Sequence, residues 1–284
     1  MNLPQKIIDK INQLGETLEV KKIKVFPKII ETPKKRTLAI PNDYAKIRQK
    51  ELHKLLLSIK IPRYVFSQKG FFFADKARFH LGDGYLINAD LKDFYPSVHF
   101  KRIGEIFRGL RIRAEIVQKL TYLTTHQNYL PLGFITSPIL SNIVLLKMDN
   151  DLYKYTKYRN IRYSRYVDDL TFSSNQKIND DFIKKARKII KAYGFIINES
   201  KNQFYGPSDV KIVLGLKLED TGINITGKYL EKVTDHLEVL KILIDNHLDY
   251  EELRVLARGE LIFIKQIKKE TFTNLSKKYS LILT

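Results

Sequence analysis

The chain has 284 residues, 44% of them hydrophobic, enough apolar material for one elaborate domain or two to three small lobes, so disorder is not the default reading. Its 50 Lys+Arg against 31 Asp+Glu give a formal charge of +19, a balance that attracts a polyanion such as nucleic acid or an acidic membrane face. The absence of cysteine excludes disulfides, thiol catalysis and Cys-ligated zinc or iron–sulfur centres, so a bound metal has to rest on carboxylates.

The basic excess is uneven. Residues 1–225 carry 40 Lys+Arg against 22 Asp+Glu, whereas residues 226–284 carry 10 against 9. The six histidines show no close ligand spacing and read as structural or solvated. No apolar run reaches the length of a membrane span, and the opening MNLPQKIIDK lacks the apolar core of a signal peptide. A cytoplasmic protein with no membrane partner is expected.

Along the chain, short basic clusters at Lys21–Lys24 and Lys34–Arg36 flank Pro27 and Pro33. Residues Arg36 to Pro41 alternate polar and apolar like a hairpin strand, and Asp43 to Ile59 repeats nearer the helical period. Gly84 to Asp90 is a short apolar run opened by a glycine turn and closed by an acid, which suits a buried strand ending at a site. Helices follow at about Lys101–Arg108 and Ala114–Thr124. Pro131 to Pro138 reads as a loop, and Ser137-Pro138 as a helix start, an N-cap hydroxyl with proline at the first helical position, for a helix reaching about Tyr155. Residues Ile161 to Ser174 (IRYSRYVDDLTFSS) read as two strands turning at Val167 to Leu170. A helix over Asp180–Tyr193, a strand pair around Gly194–Tyr205 and Val210–Leu218, and three amphipathic helices from Lys228 complete an α+β chain with an all-helical end.

Two adjacent acids in a hairpin turn repel each other where Asn-Gly or Asp-Gly is the usual solution. On spacing alone the pair reads either as a solvated acidic turn or as half of a cation site. Asp90, ending an independent apolar run, adds a third carboxylate. Hard Mg²⁺ takes oxygen ligands, and three carboxylates on neighbouring strands can hold two ions for nucleotidyl transfer. Spacing does not establish that the strands are neighbours.

The ordered series NADLKDFYPS (Asn88 to Ser97), LPLGFITSPILSN (Leu130 to Asn142), RYVDDLTFSS (Arg165 to Ser174) and GFIINESKNQF (Gly194 to Phe204) resembles successive reverse transcriptase blocks. With KKRTLAIP (Lys34 to Pro41) ahead and IVLGLKL (Ile212 to Leu218) behind, the resemblance covers nearly the whole chain from about residue 20. Within that family it is similar to the bacterial retron type. Ala77-Arg78-Phe79-His80 resembles part of an Asn-Ala-x-x-His element of that group, and the ending RGELIFIKQIKKETFTNLSKKYSLIL resembles its helical thumb. Lys76 stands where that element has asparagine, and Val213-Leu214-Gly215 where the group has Val-Thr-Gly.

The resemblance implies a right-hand polymerase with fingers, antiparallel-sheet palm and C-terminal helical thumb. Residues 1–85 would be the N-terminal segment and fingers, 86–225 the palm with inserted fingers helices at about 101–130, and 226–284 the thumb, with no RNase H domain. It implies that Asp90, Asp168 and Asp169 are catalytic and hold two Mg²⁺ ions, with Mn²⁺ as substitute, helped by the Leu91 carbonyl. Asp93 has no match to a metal role and reads as a solvated or helix-capping acid.

Tyr95 matches the aromatic beside the sugar 2′ position, and Lys201 a lysine near the triphosphate; an aromatic core residue and a solvated lysine are the alternatives. Lys34, Lys35 and Arg36 match fingers residues that contact the incoming nucleotide and template. Leu132 and Gly133 match the nucleotide-sugar loop, where many relatives carry glutamine and leucine cannot donate that hydrogen bond. Tyr166, Val167, Gly215 and Leu216 are expected against nucleic acid.

The function implied is RNA-directed DNA synthesis from deoxynucleoside triphosphates on a dedicated structured non-coding RNA, as part of a bacterial retron antiphage system with an effector or toxin protein encoded nearby. Another defence-associated or group II intron-like reverse transcriptase, another palm polymerase, and a catalytically idle RNA-binding protein are the competing readings.

Overall fold

Apolar Ile8, Ile11 and Leu14, spaced by three, form the buried side of the first helix, α1 (Gln5–Glu16), in a computed structural model that describes residues 3–23, 27–31, 37–247, 249 and 251–279. After the short α2 (Val20–Ile23), strands β1 (Lys28–Glu31) and β2 (Thr37–Ile40) pair antiparallel in the register Lys28 to Ile40. Helix α3 (Asp43–Leu56) starts on Asn42, whose side chain accepts from the Ala45 N–H at 2.9 Å. The basic hairpin followed by a helix is therefore present, though Lys34, Lys35 and Arg36 lie outside the described residues.

The chain continues through α4 (Phe73–Phe79), β3 (Tyr85–Asp90), α5 (Phe94–Ser97), α6 (Phe100–Gly109), α7 (Ala114–Thr124) and α8 (Ser137–Lys157). Next come β4 (Arg162–Tyr166), β5 (Asp169–Ser174), α9 (Asp180–Ala192), β6 (Gln203–Tyr205), β7 (Ile212–Val213), β8 (Leu216–Glu219) and β9 (Gly222–Ile225). Helices α10 (Gly227–Asp245), α11 (Glu251–Ile267) and α12 (Lys269–Lys278) end the described chain.

Two compact units result. The first comprises residues 1–71, 87–172 and 178–203. It holds the hairpin β1–β2, helices α1 to α3 and α5 to α9, and the acid-bearing ends of a four-stranded sheet of order β4-β5-β3-β6. Its core joins Ile11, Leu52, Leu56, Ile103, Phe107, Leu120, Leu140, Leu145, Met148 and Leu170. Each fully buried Leu or Ile stabilises by about 1.5–3 kcal/mol. Helix α8 is the spine of this core: Leu145, Met148 and Leu152 are fully buried along it.

The second unit comprises residues 72–86, 173–177 and 204–284. One cluster packs α10 against α11 through Val233, Leu237, Leu240, Ala257, Leu261 and Ile264. Another gathers Ala74, Ala77, Leu86, Val213 and Leu216. Lys76 and His80 are both fully buried here, and His80 Nδ1 meets the Ser173 hydroxyl, which donates to Asp83. Lys76, where the resembling element has asparagine, is thus an interior residue.

Three sequence readings need correction. The turn between β4 and β5 is only Val167-Asp168, and Asp169 already belongs to β5. Ser137 is not the N-cap: Thr136 occupies that position without a side-chain cap, while the Ser137 hydroxyl donates back to the Pro131 carbonyl at 2.6 Å. Finally, β6 pairs in the sheet of β3, whereas β7 and β8 form a separate antiparallel sheet with the unforeseen β9. Short strands of similar alternation carry no record of which partner they take.

Candidate active site

Strand β3 is interior along Leu86 to Ala89, which leaves the carboxylate of Asp90 at the emerging end with its side chain 21% exposed. Strand β5 lies next to β3, so the acids of the Val167-Asp168-Asp169 segment and Asp90 come from adjacent strands. The Leu91 N–H donates to the Asp168 carbonyl at 2.9 Å, tying the two strand ends together. On the other side the Asn198 N–H donates to the Asp90 carbonyl at 2.7 Å, and Lys201 Nζ reaches Asp90 Oδ2 at 3.0 Å from the short turn Glu199–Lys201. Behind the acids, Thr171 Oγ1 donates to Asn88 Oδ1 at 2.9 Å and Asn88 Nδ2 to Gln203 Oε1 at 3.1 Å, a rung across β5, β3 and β6.

Electrostatics follow from this crowding. Burial raises the Asp168 carboxyl above its usual 3.8, and the charges of Asp90 and Asp169 push the same way while Lys201 opposes them. A cation would relieve that repulsion, and three carboxylates are the hard oxygen donors that Mg²⁺ or Mn²⁺ takes. Among the described residues no three Asp, Glu, His or Cys side chains already converge on one point. Lys201 occupies one oxygen of Asp90, so the donor chemistry fits an ion once Asp90 exchanges that partner.

Tyr95 is half-buried at the second position of α5, its ring edge-on to Phe94 at 5.4 Å between centroids. Burial pushes its phenol up, Ser141 pulls it down, and the nearby Asp168 and Tyr166 add to the rise. Asp93 caps α5 only with its backbone, at a left-handed φ of 46°, and its side chain is exposed without a capping bond.

The Leu132 carbonyl accepts from the Ala39 N–H at 2.8 Å, docking the 130–136 loop on β2. Gly133, at φ 105°, follows it, and a Cβ there would meet the Ala39 carbonyl oxygen at 2.8 Å, so only glycine fits. In the second unit Gly215, at φ 80°, turns between β7 and β8, while the Leu216 side chain is 1% exposed within that unit's core.

Residues that sequence reasoning passed over lie beneath the turn. Arg165 and Asp149 are both fully buried; Arg165 Nε and Nη2 donate to Asp149 Oδ1 and Oδ2 at 2.8 and 2.7 Å. The Tyr163 hydroxyl donates to Asp149 Oδ1 at 2.7 Å. Burial raises that phenol, with Asp149 adding to the rise, and also raises Tyr64 to about 12.

Arg165 Nη1 donates to the Val167 carbonyl at 2.8 Å and to Asn142 Oδ1 at 3.0 Å. The Val167 N–H donates to Ser67 Oγ at 3.0 Å, and Ser67 Oγ donates in turn to Asn142 Oδ1 at 2.9 Å. Both backbone polar groups of Val167 are therefore held by side chains, the carbonyl by the fully buried Arg165 and the N–H by the half-buried Ser67. Val167 needs this because it sits at φ 56°, a left-handed conformation that costs an L-residue about 1–2 kcal/mol. The signal was available: Asn142 and Asp149 lie seven residues apart, hence on one face of α8, and both interrupt its apolar stripe.

Comparison with known proteins shows the family. The family model described as "Reverse transcriptase (RNA-dependent DNA polymerase)" matches residues 7–218. The retron Ec86 reverse transcriptase of Escherichia coli is 28% identical over 211 residues, covering 70% of this chain and 63% of the relative. The retron Ec73 reverse transcriptase of the same species is 30% identical over 212 residues, covering 69% and 66%. The chain thus spans slightly less than two thirds of these relatives. A telomerase from Candida tropicalis, solved with a fragment of telomeric RNA, aligns with a TM-score of 0.52 over 89% of this chain and 55% of that one at 15% identity. That likeness bears on the fold alone, which is α+β of the right-hand reverse transcriptase type with mixed helices and antiparallel sheets. Because the family match covers residues 7–218, three quarters of the chain and all three aspartates, the chain belongs to the reverse transcriptase family, with bacterial retron enzymes among its relatives.

Proposed function

We propose that this protein is an RNA-directed DNA polymerase that copies a dedicated structured non-coding RNA into DNA by two-metal nucleotidyl transfer, as part of a cytoplasmic retron defence system with an effector protein encoded nearby. The observation that carries the reading is the meeting of Asp90 with the Asp168-Asp169 pair on adjacent strands, with Lys201 on Asp90. Reverse transcriptases in general use divalent metals, and here Asp90, Asp168, Asp169 and the Leu91 carbonyl would hold Mg²⁺ or Mn²⁺. When bound, two such ions lower the pKa of an attacking hydroxyl and stabilise the leaving pyrophosphate.

The chain's own groups do the rest. Lys201 leaves Asp90 to neutralise the departing pyrophosphate. The Tyr95 ring fills the space a ribose 2′-hydroxyl needs. Lys34, Lys35 and Arg36 neutralise triphosphate and template, while Leu132 and Gly133 form the wall beside the sugar without offering a side-chain donor. Tyr166, Val167 and the Gly215 turn, whose geometry Leu216 anchors from the core, contact nucleic acid. We assign fingers to residues 1–85, palm to 86–225 and thumb to 226–284.

Primer extension on an RNA template with deoxynucleoside triphosphates and Mg²⁺ tests the reading. The wild type should extend, and Asp168→Asn or Asp169→Asn should abolish synthesis while RNA binding persists. Synthesis by the doubly substituted protein would remove these residues from the metal site. For the dedicated template, DNA copurifying with the protein should be short and joined to RNA through a linkage cut by a 2′,5′ debranching enzyme. Varied DNA with a free 5′ end and no precursor would sink the retron assignment and leave the polymerase assignment standing.

A further inference from the structure

The turn that carries Asp168 is built against the local preference of its sequence. A two-residue hairpin turn with positive φ at its first central position is normally filled by glycine. Here that position is Val167, a β-branched residue at φ 56°, and Asp168 is absent from the positive-φ residues of the described chain. Such a conformation persists only where surrounding structure over-determines it. The over-determination is visible: the Val167 N–H is taken by Ser67 Oγ and its carbonyl by Arg165 Nη1. Asn142 Oδ1 joins the two holders by accepting from both, and Asn142 Nδ2 donates to the Ser67 carbonyl at 2.6 Å. Asp149 fixes the guanidinium plane by taking Nε and Nη2 together.

A fully buried Arg–Asp pair is a poor device for stability, since well-packed apolar residues of similar volume often serve as well or better. What such a pair does provide is a fixed direction, and this one delivers it to the backbone of the residue directly before the carboxylates.

We infer that Ser67, Asn142 and Arg165 are positioning residues: they lock Val167 in its left-handed conformation and thereby set the place from which Asp168 presents its carboxylate. The inference rests on the reading above, its kinetic part on the polymerase activity and its metal-binding part on the carboxylate metal site alone. Ser67 is the most informative member, because removing its hydroxyl deletes one pin and leaves the buried ion pair intact.

The test uses the full chain, with Mn²⁺ as the probe, read by thermal shift across a Mn²⁺ titration and by primer-extension kinetics. Ser67→Ala should raise the Mn²⁺ midpoint roughly 10-fold, as loss of an orienting partner does at metal sites. It should lower kcat by roughly 10- to 100-fold, the scale of a small misplacement of a reacting group, with KM for deoxynucleotide little changed. Val167→Gly placed on top of Ser67→Ala should recover most of both losses, since glycine takes positive φ without the steric cost. A merely structural hydroxyl predicts no such rescue.

If Ser67→Ala fails to fold by circular dichroism, Ser67→Cys, of similar volume with a weakly accepting sulfur, is read in the same assays. A Ser67 variant with wild-type midpoint and kcat overturns the inference, as does failure of Val167→Gly to rescue. If the wild type polymerises on no template, the polymerase reading fails; a shifted and rescued midpoint then still supports positioning, and an unshifted one overturns it.

Discussion

Asp168 is a half-buried carboxylate crowded by the like charges of Asp90 and Asp169. Its carboxyl is raised from 3.8 by burial and by Asp90 and Asp169, so ionising it opposes folding. The sign is that of a raised acid: the penalty is present above the folded pKa and fades as pH falls through it. Asp168→Asn should therefore raise the Tm of the protein in chelator at neutral pH and leave it little changed below the ordinary carboxyl value of 3.8, where folded and unfolded states are both protonated. Mg²⁺ should raise the wild-type Tm, by mass action on the folded state, and raise that of Asp168→Asn much less. Differential scanning calorimetry with and without chelator reads all four states; a lower metal-free Tm for the variant contradicts the repulsion argument. At the neighbouring Tyr95, half-buried beside Asp168, Tyr95→Val should increase ribonucleotide incorporation relative to deoxyribonucleotide in competition assays. Unchanged sugar selectivity would move the discrimination to another residue.

Among the elements, α8 and the β4–β5 hairpin are coupled through charge as well as packing. Arg165 is fully buried against Asp149, so Arg165→Met leaves an unpaired buried carboxylate and should cost about 3–5 kcal/mol in urea unfolding. Adding Asp149→Leu should return most of that stability, because the uncompensated charge is gone. If the single substitution is nearly neutral, water reaches Asp149 and the network is looser than its hydrogen bonds indicate. The same pair of substitutions should leave catalysis poor even where stability returns, since neither Met nor Leu can hold the Val167 carbonyl.

For the molecule as a whole, charge is the dominant long-range fact. With 40 Lys+Arg against 22 Asp+Glu in residues 1–225, RNA affinity should fall steeply with salt. Each neutralised phosphate contributes a log–log slope of roughly −0.7 on single strands to −0.9 on duplex. A binding titration between low and moderate salt measures it, and a flat response would contradict a phosphate-contacting surface. Residues 226–284, at 10 basic against 9 acidic, have little net charge with which to grip arbitrary duplex. Their contribution to template choice should come from shape and from stacked or hydrogen-bonded bases. No helix among the described residues is long and apolar enough to cross a membrane.

Sequence alone determined the polyanion-attracting charge, most helix spans and the ordered blocks that carry the family resemblance. These are local properties: apolar period and short runs read directly along the chain. It did not determine that β5 lies beside β3, which is what brings Asp90 to Asp168, nor that β6 leaves the 210–218 strands for that same sheet. Strand partnership is a long-range choice, and short alternating segments are nearly interchangeable until packing selects among them. Tertiary structure alone also decided that Val167 adopts a positive φ. Valine disfavours that conformation by itself, and only the side chains of Ser67, from a distant loop, and Arg165, steered by Asn142 and Asp149 of α8, make it the lower-energy state.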